Sequence, residues 1–159
     1  MRSRLLVAAL SVCICQGQVS WERLKNAERE PQNWLTYSGT NLSQRYSALD
    51  SIHAGNVRDL ELKWVFQAAS FEKFEATPLV VDGILYTVQA PNDIVAMDAA
   101  TGRIFWTYSY TPSKESRVCC GRVNRGLAVL GDSLFMGTID GRLIRSEEHT
   151  SELQSLTNL

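Results

Sequence analysis

The residues best suited to chemistry lie in one short stretch, Arg117–Gly126, which reads RVCCGRVNRG. It holds two adjacent cysteines, Cys119 and Cys120, and an arginine, Arg125, directly before a glycine. A disulfide between neighbouring cysteines closes a strained eight-membered ring, because Cα atoms about 3.8 Å apart lie below the usual disulfide range of about 4.4 to 6.8 Å. Strain of that kind tends to mark a functional site. This stretch is therefore the first candidate site.

The N-terminal segment determines which other cysteines could form disulfides with Cys119 and Cys120. Met1–Gln16 has two arginines, then an apolar run, then small and polar residues, which is the layout of a secretory signal peptide. We expect a leader over residues 1–17, with a lipid anchor at Cys13 as the weaker alternative. Removal of the leader takes Cys13 and Cys15 with it. In an oxidising compartment the remaining two cysteines could pair with each other, pair between molecules or stay free.

The sequence of the C-terminal segment predicts that its residues are foreign to the protein. Arg145–Ser155 resembles the translation of a common sequencing-library adapter, so residues 145–159 are interpreted as an artefactual tail, and a polar amphipathic helix is the alternative. The domain then spans residues 18–144. His149 falls in the tail, which leaves His53 as the only histidine of the domain. Histidine-based triads and multi-histidine zinc sites are thereby excluded from this stretch.

The overall composition is that of an ordinary soluble globular protein. The formal net charge is -1, with 45% hydrophobic and 21% charged residues. Neither a basic excess nor a long apolar run is present. We therefore expect no nucleic-acid partner and no stable membrane span.

The elements that would carry the candidate site are short β-strands. Thr77–Val81 and Ile84–Gln89 are apolar, β-branched runs joined by Asp-Gly, a two-residue hairpin turn. Ile94–Asp98 and Arg103–Tyr108 follow after further turn residues, and together they predict four antiparallel strands, the content of one propeller blade. Upstream, Leu62–Gln67 alternates like a further strand.

A partial copy of the blade pattern follows the cysteine pair. LYTV from Leu85 corresponds to LFMG from Leu134, an offset of 49 residues, and the copy ends near Ile144. The fold class predicted is all-β, a partial β-propeller of about one and a half blades. A two-hairpin edge of an antiparallel sandwich is the alternative.

The first blade also carries a specific motif. Ala96–Trp106, AMDAATGRIFW, resembles the tryptophan-docking motif of the eight-bladed quinoprotein propellers, with Ala, Asp, Thr, Gly and Trp at its five fixed positions. Its Thr-Gly pair makes a tight turn and its tryptophan offers a large face for packing against the next blade. Non-enzymatic scaffold propellers of the outer-membrane assembly type carry similar motifs, so this one predicts architecture and not catalysis.

Three further features of the sequence resemble the enzymes among these propellers. CCGRVNRG is similar to a segment of the pyrroloquinoline quinone (PQQ) dependent methanol and ethanol dehydrogenases. That resemblance implies that Cys119 and Cys120 form a vicinal disulfide against one face of PQQ, and that Arg125 donates to cofactor oxygens. Glu75 matches the glutamate of the family that contacts PQQ before the first blade, and Asn33–Ser47 resembles the family's N-terminal signature.

The resemblance also implies the reaction and its partners. The family oxidises primary alcohols to aldehydes in the periplasm by hydride transfer to PQQ, with Ca²⁺ or a lanthanide as Lewis acid and a c-type cytochrome as electron acceptor. The metal ligands and the aspartate base of the family have no match in this chain. No catalytic residue and no metal ligand is therefore expected here, and the chain alone is expected to be inactive.

Overall fold

The computed structural model describes residues 19–147 and 153–158, with side chains through Ser146. Within the described ranges, helical structure is confined to the short helix α1, Trp21–Lys25, and two 3₁₀ turns, Ala27–Arg29 and Val57–Asp59. Eight strands make up the rest of the regular structure in these ranges. They are β1 Leu79–Val81, β2 Ile84–Gln89, β3 Asp93–Asp98, β4 Ile104–Tyr108, β5 Ala128–Leu130, β6 Ser133–Gly137, β7 Arg142–Glu147 and β8 Leu153–Asn158.

The strands form two four-stranded antiparallel sheets, β1-β2-β3-β4 and β5-β6-β7-β8, each in sequence order. The tight turn between β1 and β2 explains the first pairing. Asp82 has φ 48° and Gly83 has φ 86°, the two positive values that a two-residue hairpin of this type requires. Val81 therefore pairs directly with Ile84, and the four strands predicted for the first blade are confirmed.

The second sheet extends further than the partial copy predicted from the sequence. β7 runs through Ile144 to Glu147, and β8 pairs with it from the segment interpreted as a tail. The boundary expected after Ile144 thus falls inside a strand. The foreign origin of residues 145–159 stays a prediction, and the leader over residues 1–17 lies outside the described residues.

The two sheets share one hydrophobic core, because alternate residues of their strands face a common interior. Side chains from both sheets are almost fully buried in a single cluster, which also takes in residues of the segment before β1. Its members include Leu35, Leu79, Val81, Tyr86, Val88, Ile94, Ala96, Val129, Leu134, Met136 and Ile144. The sheets are therefore packed as neighbours and do not stand apart as two separate hairpins.

The docking motif forms a compact turn between β3 and β4. One carboxylate oxygen of Asp98 accepts hydrogen bonds from the Ala100 and Thr101 amides at 3.0 and 2.8 Å. Gly102 has φ 71°, and a Cβ on it would lie 2.6 Å from the ring of Trp64. A tryptophan from the upstream segment thus packs on this turn, a contact that the motif alone does not predict.

The strand predicted over Leu62–Gln67 is wrong. The segment is assigned to no strand, and among the described residues no strand pairs with it. Its side chains still alternate, with Trp64 half-buried and Val65 72% exposed. The alternation was read correctly from the sequence, whereas a strand also needs a neighbour, which local pattern cannot supply.

No helix within the described ranges is both long enough and apolar enough to cross a membrane.

Candidate functional site

The candidate site lies where the two sheets begin side by side. Thr77, two residues before β1, and Gly126, two residues before β5, form an isolated parallel bridge. Glu75 precedes the first of these residues by two positions, and Arg125 directly precedes the second. The bridge therefore brings together two predicted site residues that are far apart in sequence.

Glu75 and Arg125 form an ion pair across this junction. Arg125 Nη2 lies 3.6 Å from Glu75 Oε2, and the two side chains are 73% and 37% exposed. A pair this open to water contributes little to stability, typically about 0 to 1 kcal/mol. The pair nevertheless shows that the guanidinium lies beside the junction, and the exposure of Arg125 leaves most of its five donors accessible.

Cys119 and Cys120 lie in the same neighbourhood, in the loop that leads to Arg125. Both are exposed free thiols in this structure, with their sulfur atoms 2.6 Å apart. The pKa of Cys120 is raised chiefly by its hydrogen bond with the Cys119 thiol; the charge of Glu75 also raises it, and that of Arg125 lowers it. All four predicted cofactor residues are thus grouped, while the disulfide itself stays a prediction.

Tyr37 and Arg45 add a second cationic group near the junction. The Arg45 guanidinium carbon lies 5.0 Å from the centre of the Tyr37 ring. The pKa of Tyr37 is lowered first by its hydrogen bond with Arg45, then by one with Thr77, and the charge of Arg125 acts in the same direction. The sequence placed neither residue in the cofactor site, although both fall in the segment that resembles the family's N-terminal signature.

The long loop from β4 to β5 is anchored by hydrogen bonds near its start. One oxygen of Asp140 accepts hydrogen bonds from the Tyr110 hydroxyl and the Ser113 amide, both at 2.9 Å, and its other oxygen accepts one from Thr138. Burial opposes ionisation of Asp140, but these donors outweigh it and lower its pKa. This anchor joins the loop to the turn between β6 and β7, and sequence reasoning missed it because its members lie far apart in the chain.

Comparison with known proteins shows the family of this chain. Residues 34–155 match the PQQ family model described as the glucose/ethanol/alcohol dehydrogenase β-propeller domain. The chain belongs to this PQQ β-propeller family. The resemblance and the all-β partial propeller predicted from the sequence are thereby confirmed.

Relatives within the family are dehydrogenases by name. The dehydrogenase subunit of the quinone alcohol dehydrogenase of Gluconacetobacter polyoxogenes is 40% identical over 83% of this chain and 18% of its own length. The quinohemoprotein alcohol dehydrogenase ADH IIB of Pseudomonas putida is 36% identical over 96% of this chain and 23% of its own length. The chain therefore spans only a minor part of these relatives.

Solved structures show the same fold. The quinohemoprotein alcohol dehydrogenase ADHIIG of Pseudomonas putida superposes with a TM-score of 0.82 and 34% identity, covering 91% of this chain and 22% of that one. A europium-containing methanol dehydrogenase superposes with a TM-score of 0.80 and 31% identity, covering 87% of this chain and 25% of that one.

The grouped residues fit one wall of a PQQ site. PQQ is a planar quinone that carries carboxylates, and the largely exposed Arg125 guanidinium offers the forked donors that bind such groups. The adjacent sulfur atoms of Cys119 and Cys120 offer a polarisable surface for a planar ring. No comparable set of metal ligands is present in the described part of the chain, where no three or more His, Cys, Asp or Glu side chains form a cluster.

Proposed function

We propose that this chain is part of a periplasmic PQQ-dependent alcohol dehydrogenase that oxidises primary alcohols to aldehydes. The observation that carries the proposal is the grouping of Glu75, Cys119, Cys120 and Arg125 at the junction of the two sheets. The family match over residues 34–155 supports it. A scaffold propeller would need the docking motif alone and gives no reason for this grouping.

The residues of this chain would bind and orient the cofactor. Arg125 would donate to PQQ oxygens, and Glu75 would hold the guanidinium toward the junction from its place 3.6 Å away. Cys119 and Cys120, joined as a vicinal disulfide, would cover one face of the quinone and exclude water from it. When bound, PQQ supplies the hydride acceptor, and a Ca²⁺ or lanthanide ion supplies the Lewis acid.

The remaining functions fall to other parts of the enzyme. Metal ligands and the base that accepts the alcohol proton would come from outside this chain, and electrons would pass on to a c-type cytochrome. The chain alone is then expected to show no dye-linked ethanol oxidation when PQQ and Ca²⁺ are added. Turnover by the purified chain under those conditions would refute this assignment.

Cofactor binding by the whole protein tests the proposal directly. Arg125→Ala should weaken PQQ binding about 10- to 150-fold, because a hydrogen bond to a charged group contributes about 1.5 to 3 kcal/mol. Arg117→Ala is the matched control, since Arg117 is also exposed and lies in the same loop. PQQ affinity is measured by equilibrium dialysis. Equal affinities for the two variants would count against the proposed site.

A further inference from the structure

Asn124, the residue directly before Arg125, is a buried polar side chain with three hydrogen bonds. Its side chain is 7% exposed. Its Nδ2 donates to Asn92 Oδ1 at 3.1 Å and to the Gly137 carbonyl at 2.8 Å, and its Oδ1 accepts from the Gly126 amide at 3.0 Å. Both functional ends of the amide are therefore used, which aspartate or alanine could not reproduce.

These partners belong to both sheets. Asn92, fully buried, lies in the turn between β2 and β3, whereas Gly137 ends β6. Asn92 Oδ1 also accepts from the Ile139 amide at 3.2 Å, which ties the two turns to each other. Asn124 thus connects the loop that carries the cysteines to fixed points on the two sheets.

The hydrogen bond to Gly126 closes a turn around Arg125. A side-chain oxygen that accepts from the amide two residues later fixes the intervening backbone. Gly126 is itself held by its bridge to Thr77, so the backbone of Arg125 is restrained on both sides. Since the Arg125 side chain is 73% exposed, its position depends mainly on the backbone that carries it.

We propose that Asn124 is a positioning residue for Arg125: by binding Asn92, Gly137 and Gly126 it holds the guanidinium at the place where a cofactor anion would be bound. The position of Arg125 follows from the contacts above, while its use for PQQ rests on the proposed function. The positioning of Arg125 needs both the two donors and the acceptor of the Asn124 amide. Asn124→Asp retains only the acceptor, so it should lose part of the positioning effect.

Asn33 supplies a matched control. It is also 7% exposed, its Nδ2 donates to Glu30 and Asp82, and its Oδ1 accepts from the Asp82 amide at 2.9 Å. It makes these bonds beside the β1–β2 turn and none to the cysteine loop. Removing either asparagine therefore deletes the same kind of buried group at two different places.

Amide hydrogen exchange in the 159-residue chain tests the positioning role without any cofactor. Asn124→Ala should accelerate exchange of the Gly126 amide about tenfold or more, and Asn33→Ala should do so for the Asp82 amide instead. If Asn124→Ala prevents folding, as judged by circular dichroism, Asn124→Leu is used in its place, because it also removes the acceptor of the Gly126 amide but nearly keeps the side-chain volume. An unchanged Gly126 amide, or equal acceleration by Asn33→Ala, would overturn the proposal.

PQQ titration of the whole protein then links the residue to Arg125. Asn124→Ala should weaken PQQ binding about tenfold in the wild-type background and have no effect when Arg125 is already alanine, since it acts through that side chain. Additive losses would overturn the positioning role. If the exchange results hold but the unaltered whole protein binds no PQQ, the proposed function fails while the positioning of Arg125 stands.

Discussion

Substitution of Gly126 by alanine is expected to damage the junction that carries the site. Gly126 has φ 124°, a backbone conformation that residues with a Cβ rarely adopt. An added Cβ would also lie 3.1 Å from the carbonyl oxygen of Thr77 and 3.7 Å from its amide nitrogen. Both neighbours are backbone atoms in the bridge between the sheets, so neither can move aside without disturbing Thr77 and the nearby Glu75.

The magnitude follows from two separate costs. Backbone strain at such a position costs about 1 to 3 kcal/mol, and forcing a methyl group into a filled space costs about 1 to 3 kcal/mol. Gly83→Ala isolates the first cost, because Gly83 has φ 86° but nothing lies within 4 Å of its added Cβ. With the backbone strain taken at about 1 kcal/mol for either glycine, the lower end of its range, we expect losses of unfolding free energy of about 2 to 4 kcal/mol for Gly126→Ala and about 1 kcal/mol for Gly83→Ala.

Thermal unfolding followed by circular dichroism measures this difference in the chain itself. For a chain of this size, each kcal/mol lowers Tm by about 2 to 4 °C, so Gly126→Ala should unfold about 5 to 15 °C below the wild type. If the two alanine variants unfold at the same temperature, the contact with Thr77 does not constrain the junction. The placement of Arg125 would then not depend on the Thr77–Gly126 bridge.

Three further predictions concern other parts of the chain. Dithiothreitol, or Cys119→Ser, should lower alcohol oxidation by the whole protein if a disulfide faces PQQ; unchanged turnover and PQQ affinity would exclude that role. Hydrogen bonds from Arg23 lower the carboxyl pKa values of Glu30 and Asp82 below their ordinary 4.5 and 3.8. The stability that these two carboxylates contribute is therefore present above the ordinary pKa values. It is lost as pH falls through the lower pKa values of the folded state. Urea unfolding from pH 7 to pH 2.5 should show that loss, and Arg23→Ala should make it shallower; an unchanged slope would contradict the pairing. Trp64→Ala should lower the Tm of the chain by about 5 °C or more, because it removes the ring that packs on the β3–β4 turn. Calorimetry measures the change, and a smaller decrease in Tm would show that this contact is unimportant.

The sequence by itself determined the four strands of the first sheet and the chemistry of the candidate residues. Alternating apolar residues and the Asp82-Gly83 turn are local signals, and a hairpin closed by two residues leaves little choice of register. The docking motif and the CCGRVNRG segment likewise depend on neighbours in sequence. These features indicate the propeller family and the residues Cys119, Cys120 and Arg125 without tertiary information, and Glu75 follows from its match to the family's glutamate before the first blade.

Only the tertiary structure decided which of these residues meet. Glu75 and Arg125 approach because the Thr77–Gly126 bridge joins the beginnings of two separate sheets, a long-range pairing without a local sequence signal. The same holds for Asn124, whose buried amide binds groups from both sheets, and for the Leu62–Gln67 segment, which has the alternation of a strand but no partner among the described residues. Periodicity reports which face of a segment is apolar, whereas pairing depends on what the rest of the fold brings beside it.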